Sequence, residues 1–213
     1  MRAPLSEAAR ASQRLGVLGG SFDPPHAGHL HAARAARDAF ALDHVVLVPA
    51  ARPPHKAGRA LAGEEDRLAL LALLAGGRPW LSVWSVELER PGPSYTIDTL
   101  RALRAATEAE LYLVLGSDNL QGFPGWREAE AIVELAQPIV IHRAGDALAL
   151  EDAALRLSPA AALRLRAGLC DAPPVEASSS ELRRRLAQGL DPGAALPEAL
   201  REYIARTGIY RAA

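Results

Sequence analysis

The stretch Leu15-Gly-Val-Leu-Gly-Gly-Ser-Phe-Asp-Pro-Pro-His-Ala-Gly-His29 decides how this chain reads. Leu15 to Leu18 is a short apolar run of the kind buried as a strand, and Gly19-Gly20 closes it in a tight turn. Ala27 to Phe40 continues with a helical pattern. A strand, a glycine-rich loop and a helix open a βαβ unit, and the same alternation recurs along the chain. His44 to Val48 is a second apolar run, stopped by Pro49. Residues 50–63 then form a loop carrying Arg52, Pro53, Pro54, His55 and Lys56, followed by a leucine-rich helix from Glu64 to Ala75. Trp80 to Val86 alternates like a half-buried strand. Tyr95-Thr96 opens another helical stretch that ends near Ala106.

Glu110 to Leu115 and Pro138 to His142 read as further strands, with a helical segment around Trp126 to Ala136 between them. Two helices are expected in the tail, over Ser178–Gly189 and Pro197–Thr207. This alternation predicts an α/β fold: a doubly wound, Rossmann-like parallel sheet with helices on both faces and a helical C-terminal extension. Residues 15–213 are expected to form one domain. The preceding residues 1–14 mix Arg and Glu among alanines and have three readings: a disordered tail, a cover for a neighbouring chain, or the product of an upstream start codon.

Composition narrows the function. The chain has 213 residues, 49% of them hydrophobic and 23% charged, as in an ordinary globular domain. Its net charge of −1 supplies no overall positive field for nucleic acid or an anionic membrane. Cys170, the only cysteine, rules out an intrachain disulfide and fits a cytoplasmic protein. No apolar run is long enough to cross a bilayer. Of 24 basic residues only Lys56 is lysine, which marks it as a position where a compact ammonium group is needed or as a chance survivor.

In open α/β sheets ligands gather beyond the carboxyl ends of the strands. Three segments fall there: Gly19 to His29, Gly116 to Trp126, and Ser178 to Arg183. The first packs three glycines, two prolines and two histidines into eleven residues, a poor way to build a core. Glycines let backbone N–H groups approach a ligand closely. With His26 and His29 at the mouth of a helix, the positive helix end and two imidazoles suit a polyphosphate whose charge grows in a transition state. The loop lacks both the Gly-Lys-Ser/Thr of a P-loop and the Gly-x-Gly-x-x-Gly dinucleotide pattern. The spacing of Asp23, His26 and His29 is not that of a helical zinc pair, so no metal site is expected there.

Gly19-Gly-Ser-Phe-Asp-Pro-Pro-His-Ala-Gly-His29, with its His-x-Gly-His core, resembles the signature loop of the nucleotidylyltransferase superfamily. Later segments are similar to the bacterial nicotinate-mononucleotide adenylyltransferase family in the same order. They are Pro54-His55-Lys56, Ser94-Tyr-Thr-Ile-Asp-Thr-Leu100, Leu115-Gly-Ser-Asp-Asn-Leu120 with Phe123 and Trp126, Ser178-Ser-Ser-Glu-Leu-Arg183, and Pro197 to Tyr210. Ser180 and Leu182 stand where that pattern carries threonine and isoleucine, and both keep the hydroxyl and apolar character.

The resemblance implies transfer of AMP from ATP to nicotinate mononucleotide, releasing pyrophosphate by direct in-line attack, with Mg2+ held mainly by the ATP phosphates. It implies catalytic roles for His29, His26 and Arg183. ATP would be bound by Gly19, Gly20, Ser21 and Phe22 with the two histidines, by Gly116 and Asp118, and by Ser178, Ser179 and Arg183. Lys56, Tyr95, Thr96 and Trp126 would take the mononucleotide. Alternatives stand beside several of these: helix capping for Ser178 to Ser180 and for Asp118, a core anchor for Trp126, and a solvated loop for Lys56. Arg143 reads either as a neighbour of adenine or as an exposed residue. A sister transferase such as pantetheine-phosphate adenylyltransferase and a catalytically silent nucleotide-binding regulator are the rival functions. A homo-oligomer is left open.

Overall fold

A computed structural model of the chain describes residues 2–54, 61–142, 147–173, 175 and 177–211. Among these, six strands form one all-parallel sheet: β1 (Arg14–Gly20), β2 (His44–Pro49), β3 (Leu81–Val83), β4 (Glu110–Gly116), β5 (Gln137–His142) and β6 (Leu169–Asp171). Their spatial order is β3-β2-β1-β4-β5-β6. The chain winds outward from β1 on one side, then restarts at β4 on the other. The crevice of the doubly wound sheet therefore opens between the carboxyl ends of β1 and β4.

Alternation along the strands sorts side chains to two faces. Leu18, Val45, Leu47, Tyr112 and Val114 share one face with α2 (Ala27–Ala39) and α3 (Glu64–Ala75). Leu15, Val17, Val46, Leu111 and Leu113 share the other with α1 (Glu7–Ala11), α5 (Thr96–Ala106) and α6 (Ala129–Leu135). The short α4 (Val86–Glu89) follows β3, while α7 (Ala147–Leu155) and α8 (Pro159–Ala167) pack through Leu150, Ala154 and Leu165 against Val140. Finally α9 (Ser179–Ala187) and α10 (Glu198–Thr207) send Leu182, Leu200 and Ile204 into the first face, beside Leu70 and Leu71 of α3. The tail helices thus belong to the layer that covers the sheet.

Residues 15–18, 44–48, 110–115 and 138–142 are strands as expected. Residues 80–86 differ, because β3 keeps only Leu81–Val83 and Val86 already begins α4. Ser85 bonds instead to Ala3, accepting its N–H at 2.8 Å and donating its own N–H to the Ala3 carbonyl at 2.8 Å. Residues 2–14 are accordingly tied to the domain: Ser6 caps α1, and Leu5, just before the helix, and Ala9, within it, are buried in the same apolar cluster as Ile97 and Leu100.

Candidate active site

The N-termini of α2 and α9 meet over the carboxyl end of β1. Gly28 makes that approach possible: a Cβ there would stand 3.0 Å from the His26 ring and 3.3 Å from Ala177. Ser179 donates its hydroxyl proton to the Pro24 carbonyl at 2.9 Å, and Arg183 donates to the carbonyl of Asp23. The second Arg183 amino group donates to Ser180 Oγ at 3.0 Å. Ser178 occupies the N-cap position of α9 without a capping side-chain bond, and the first residues of that helix line the cleft.

His26 is the N-cap residue of α2 and is buried, and His29 lies one turn on. Their ring centroids are 3.8 Å apart, and Phe22, 1% exposed, supports His29 from beneath at 4.8 Å. His29 Nδ1 accepts the His26 main-chain N–H at 3.2 Å. Gly19, Gly20 and Ser21 carry β1 into this loop, and all three line the same cavity of about 800 Å³.

Across the β1–β4 crevice the wall is Gly116, Asp118 and Asn119. A Cβ at Gly116 would stand 2.5 Å from Asp118 Oδ1, so a side chain there would push that carboxylate out of its present place. Asp118 sits inside the short 3-10 turn Ser117–Asn119, whose N-cap is Gly116, and its carboxylate accepts from Asn119 at 3.1 Å. The far wall holds Tyr95, Thr96 and Trp126. Tyr95 is the N-cap residue of α5 and Thr96 its first residue. Trp126 is half-buried, with one side against Phe123 (5.3 Å between centroids) and another on the cavity.

The structure thus gathers the histidine loop, Gly116, Asp118, Ser178, Ser179, Arg183, Tyr95, Thr96 and Trp126 around one cavity. Lys56 and Arg143 lie outside the described residues.

Three side chains at this cavity or beside it escape sequence reasoning. Arg67, 1% exposed, donates to the carbonyls of Ala62 (3.1 Å), Ser21 (3.0 Å) and Ala50 (2.7 Å), stitching together the loops after β1 and β2. Burial lowers its pKa, opposed by the nearby Asp23. Glu87, 7% exposed, accepts the Thr99 hydroxyl at 2.5 Å and a bond from Ser94, and burial raises its pKa. Ser94 Oγ in turn accepts the N–H groups of Ala51 (2.9 Å) and Arg52 (3.2 Å). Arg127 lays its guanidinium 4.8 Å over the Tyr95 ring at the cavity rim, while the neighbouring Glu128 is held by Arg101 at 2.5 Å.

Comparison with known proteins identifies the family. The cytidylyltransferase-like family model matches residues 17–185. A Roseiflexus sp. (strain RS-1) protein described as "Probable nicotinate-nucleotide adenylyltransferase" is 42% identical over 201 residues, covering 94% of this chain and all of that protein. A Bordetella petrii protein of the same description is 45% identical over 200 residues, 93% of this chain and all of its own length. The solved structure described as "Plasmodium falciparum nicotinic acid mononucleotide adenylyltransferase complexed with NaAD" has the same fold, with a TM-score of 0.72 at 18% identity over 93% of this chain and 97% of that one. By sequence along nearly its whole length and by the order of its strands, this chain belongs to the nicotinate-nucleotide adenylyltransferase family of cytidylyltransferase-like proteins.

Proposed function

We propose that the protein joins nicotinate mononucleotide to the AMP moiety of ATP, forming nicotinate adenine dinucleotide and pyrophosphate in NAD biosynthesis. The observation that carries this reading is the convergence of two helix N-termini, two imidazoles and the Arg183 guanidinium at one end of a cavity whose other end is aromatic. The first end suits a triphosphate and the second a flat pyridine ring.

Attack by the mononucleotide phosphate on the α-phosphorus requires alignment of two anions and stabilisation of the extra charge. His29 and His26 donate hydrogen bonds to the α-phosphate region, and Arg183 with the α9 N–H groups holds the β- and γ-phosphates. Gly19 to Phe22 shape the phosphate loop, and Asp118 beside Gly116 meets the ribose hydroxyls. Tyr95 and Trp126 flank the pyridine ring, Thr96 takes its carboxylate, and Arg127 adds a positive charge at that rim. Lys56 is assigned to the mononucleotide phosphate on its sequence match alone.

Among the described residues no three His, Cys, Asp or Glu side chains converge as a cation cage. The donors at the cleft mouth suit phosphate oxygens rather than a cation, so a magnesium ion would arrive with ATP, held by phosphate and water oxygens. When bound, that ion neutralises charge on the departing pyrophosphate.

Pyrophosphate release from magnesium-ATP, with nicotinate mononucleotide, nicotinamide mononucleotide and phosphopantetheine compared as acceptors, tests the reading. Preference for nicotinate mononucleotide is expected, with Arg127→Ala narrowing its lead over the nicotinamide form. Activity only with phosphopantetheine would move the protein to a sister transferase. Tight ATP binding without pyrophosphate release would make it a regulator.

A further inference from the structure

Tyr210 lies at the far end of the chain from Asp23, yet its hydroxyl donates to Asp23 Oδ1 at 2.8 Å. The backbone reaches this point because Gly208, left-handed at φ 74°, ends α10 and turns the chain toward the histidine loop. Two bulky residues at the junction also hold left-handed backbone: Phe22 (φ 47°), next to Asp23, and Tyr210 itself (φ 68°). Such conformations persist where surrounding contacts over-determine them.

Asp23 is 2% exposed, so protein groups must take the place of water around its charge. Oδ1 accepts the Tyr210 hydroxyl and the Ala62 N–H (3.2 Å). Oδ2 stands 3.6 Å from Arg183 Nη1, the same group that donates to the Asp23 carbonyl. Burial, and Asp23 beside it, push the Tyr210 phenol far above its usual pKa, so it is a proton donor throughout the physiological range. The carboxylate is therefore shared. The better Tyr210 satisfies it, the less it draws on Arg183.

We propose that Tyr210 is a positioning residue for ATP: its bond to Asp23 keeps that carboxylate from capturing Arg183, and the guanidinium stays presented to the triphosphate. The proposal rests on the assignment of Arg183 to the phosphates made above. Without the hydroxyl, Oδ1 keeps only the longer bond from the Ala62 N–H, and the nearest compensation for the buried carboxylate is closure of the 3.6 Å gap between Oδ2 and Arg183. Arg183 then spends its charge on Asp23. The effect belongs to the nucleotide end of the cavity, away from Tyr95 and Trp126.

Tyr210→Phe keeps the ring and removes the hydroxyl. Its KM for ATP is expected to rise about tenfold, the scale of one hydrogen bond to a charged group, with KM for the acceptor little changed. In an Arg183→Gln background the same substitution should add nothing, a result that a purely structural role for Tyr210 does not predict. Equal effects on both substrates, an unchanged KM for ATP, or an additive rise in the double variant would each overturn the proposal. If Arg183→Gln alone leaves KM for ATP unchanged, the phosphate assignment itself fails and the positioning role with it. If Arg183→Gln raises it and Tyr210→Phe does not, only the positioning role fails.

Discussion

Nδ1 of His29 accepts the main-chain N–H of His26 across 3.2 Å. An accepting Nδ1 carries no proton, so the neutral ring holds its proton on Nε2. One side chain thereby does two things: it satisfies an N–H that the start of α2 leaves without a helical partner, and it keeps a donor for charge developing on a phosphate.

His29→Asn separates the two. The asparagine oxygen stands near the place of Nδ1 and can still accept the His26 N–H, but nothing replaces Nε2. Stability should change by less than about 1 kcal/mol, the scale of a helix-terminal bond, while turnover falls about 10²- to 10³-fold. Thermal melting and pyrophosphate release on the same preparation check both halves. Near-normal turnover would remove His29 from catalysis.

Much of this arrangement is written in local pattern. The histidine loop stands out because so many glycines, prolines and histidines cannot pack a core, and the strands it separates are plain apolar runs. Other parts leave no local trace. Leu169–Asp171 is too short for a strand period, and α7 and α8 lie in a stretch so rich in alanine and leucine that buried and exposed faces hardly contrast. Arg67 follows Glu64, Glu65 and Asp66 and reads as one more charge on a solvated helix start. Only the three-dimensional meeting of the loops after β1 and β2 shows it pointing inward. Arg127 is similar, since Tyr95, the ring it covers, belongs to a different segment. Residues 2–14 mislead in the opposite direction, because burial of Leu5 and Ala9 together with the hydrogen bonds between Ala3 and Ser85 docks a chain segment whose composition looks solvated.

Arg67 gives a sharp stability prediction. Its planar fork reaches three carbonyls in two loops, which a lysine ammonium on a shorter reach cannot span. Arg67→Lys and Arg67→Met should each lose about 3 kcal/mol, because buried carbonyls are left without donors, and the lysine should rescue little. Urea unfolding measures it. A lysine variant close to wild type would mean that a point charge alone is enough.

Glu87 predicts a pH dependence. Burial raises its pKa, against the pull of the Thr99 and Ser94 hydroxyls and of Arg90. The folded chain therefore keeps this proton to higher pH than the unfolded chain does. Its contribution to stability is complete below the ordinary glutamate pKa and is lost as pH rises through the raised value. Glu87→Gln imitates the protonated form and does not titrate, and its oxygen can still accept from Thr99. Melting temperatures of the two proteins should lie close together at the acid end and separate upward through the carboxylate range, with the glutamine variant the more stable. Other carboxylates titrate in both proteins and cancel in the difference. Curves that stay parallel, or a glutamine variant that falls behind as pH rises, would show that the hydroxyl donors outweigh burial and that Glu87 is held as a stabilised carboxylate.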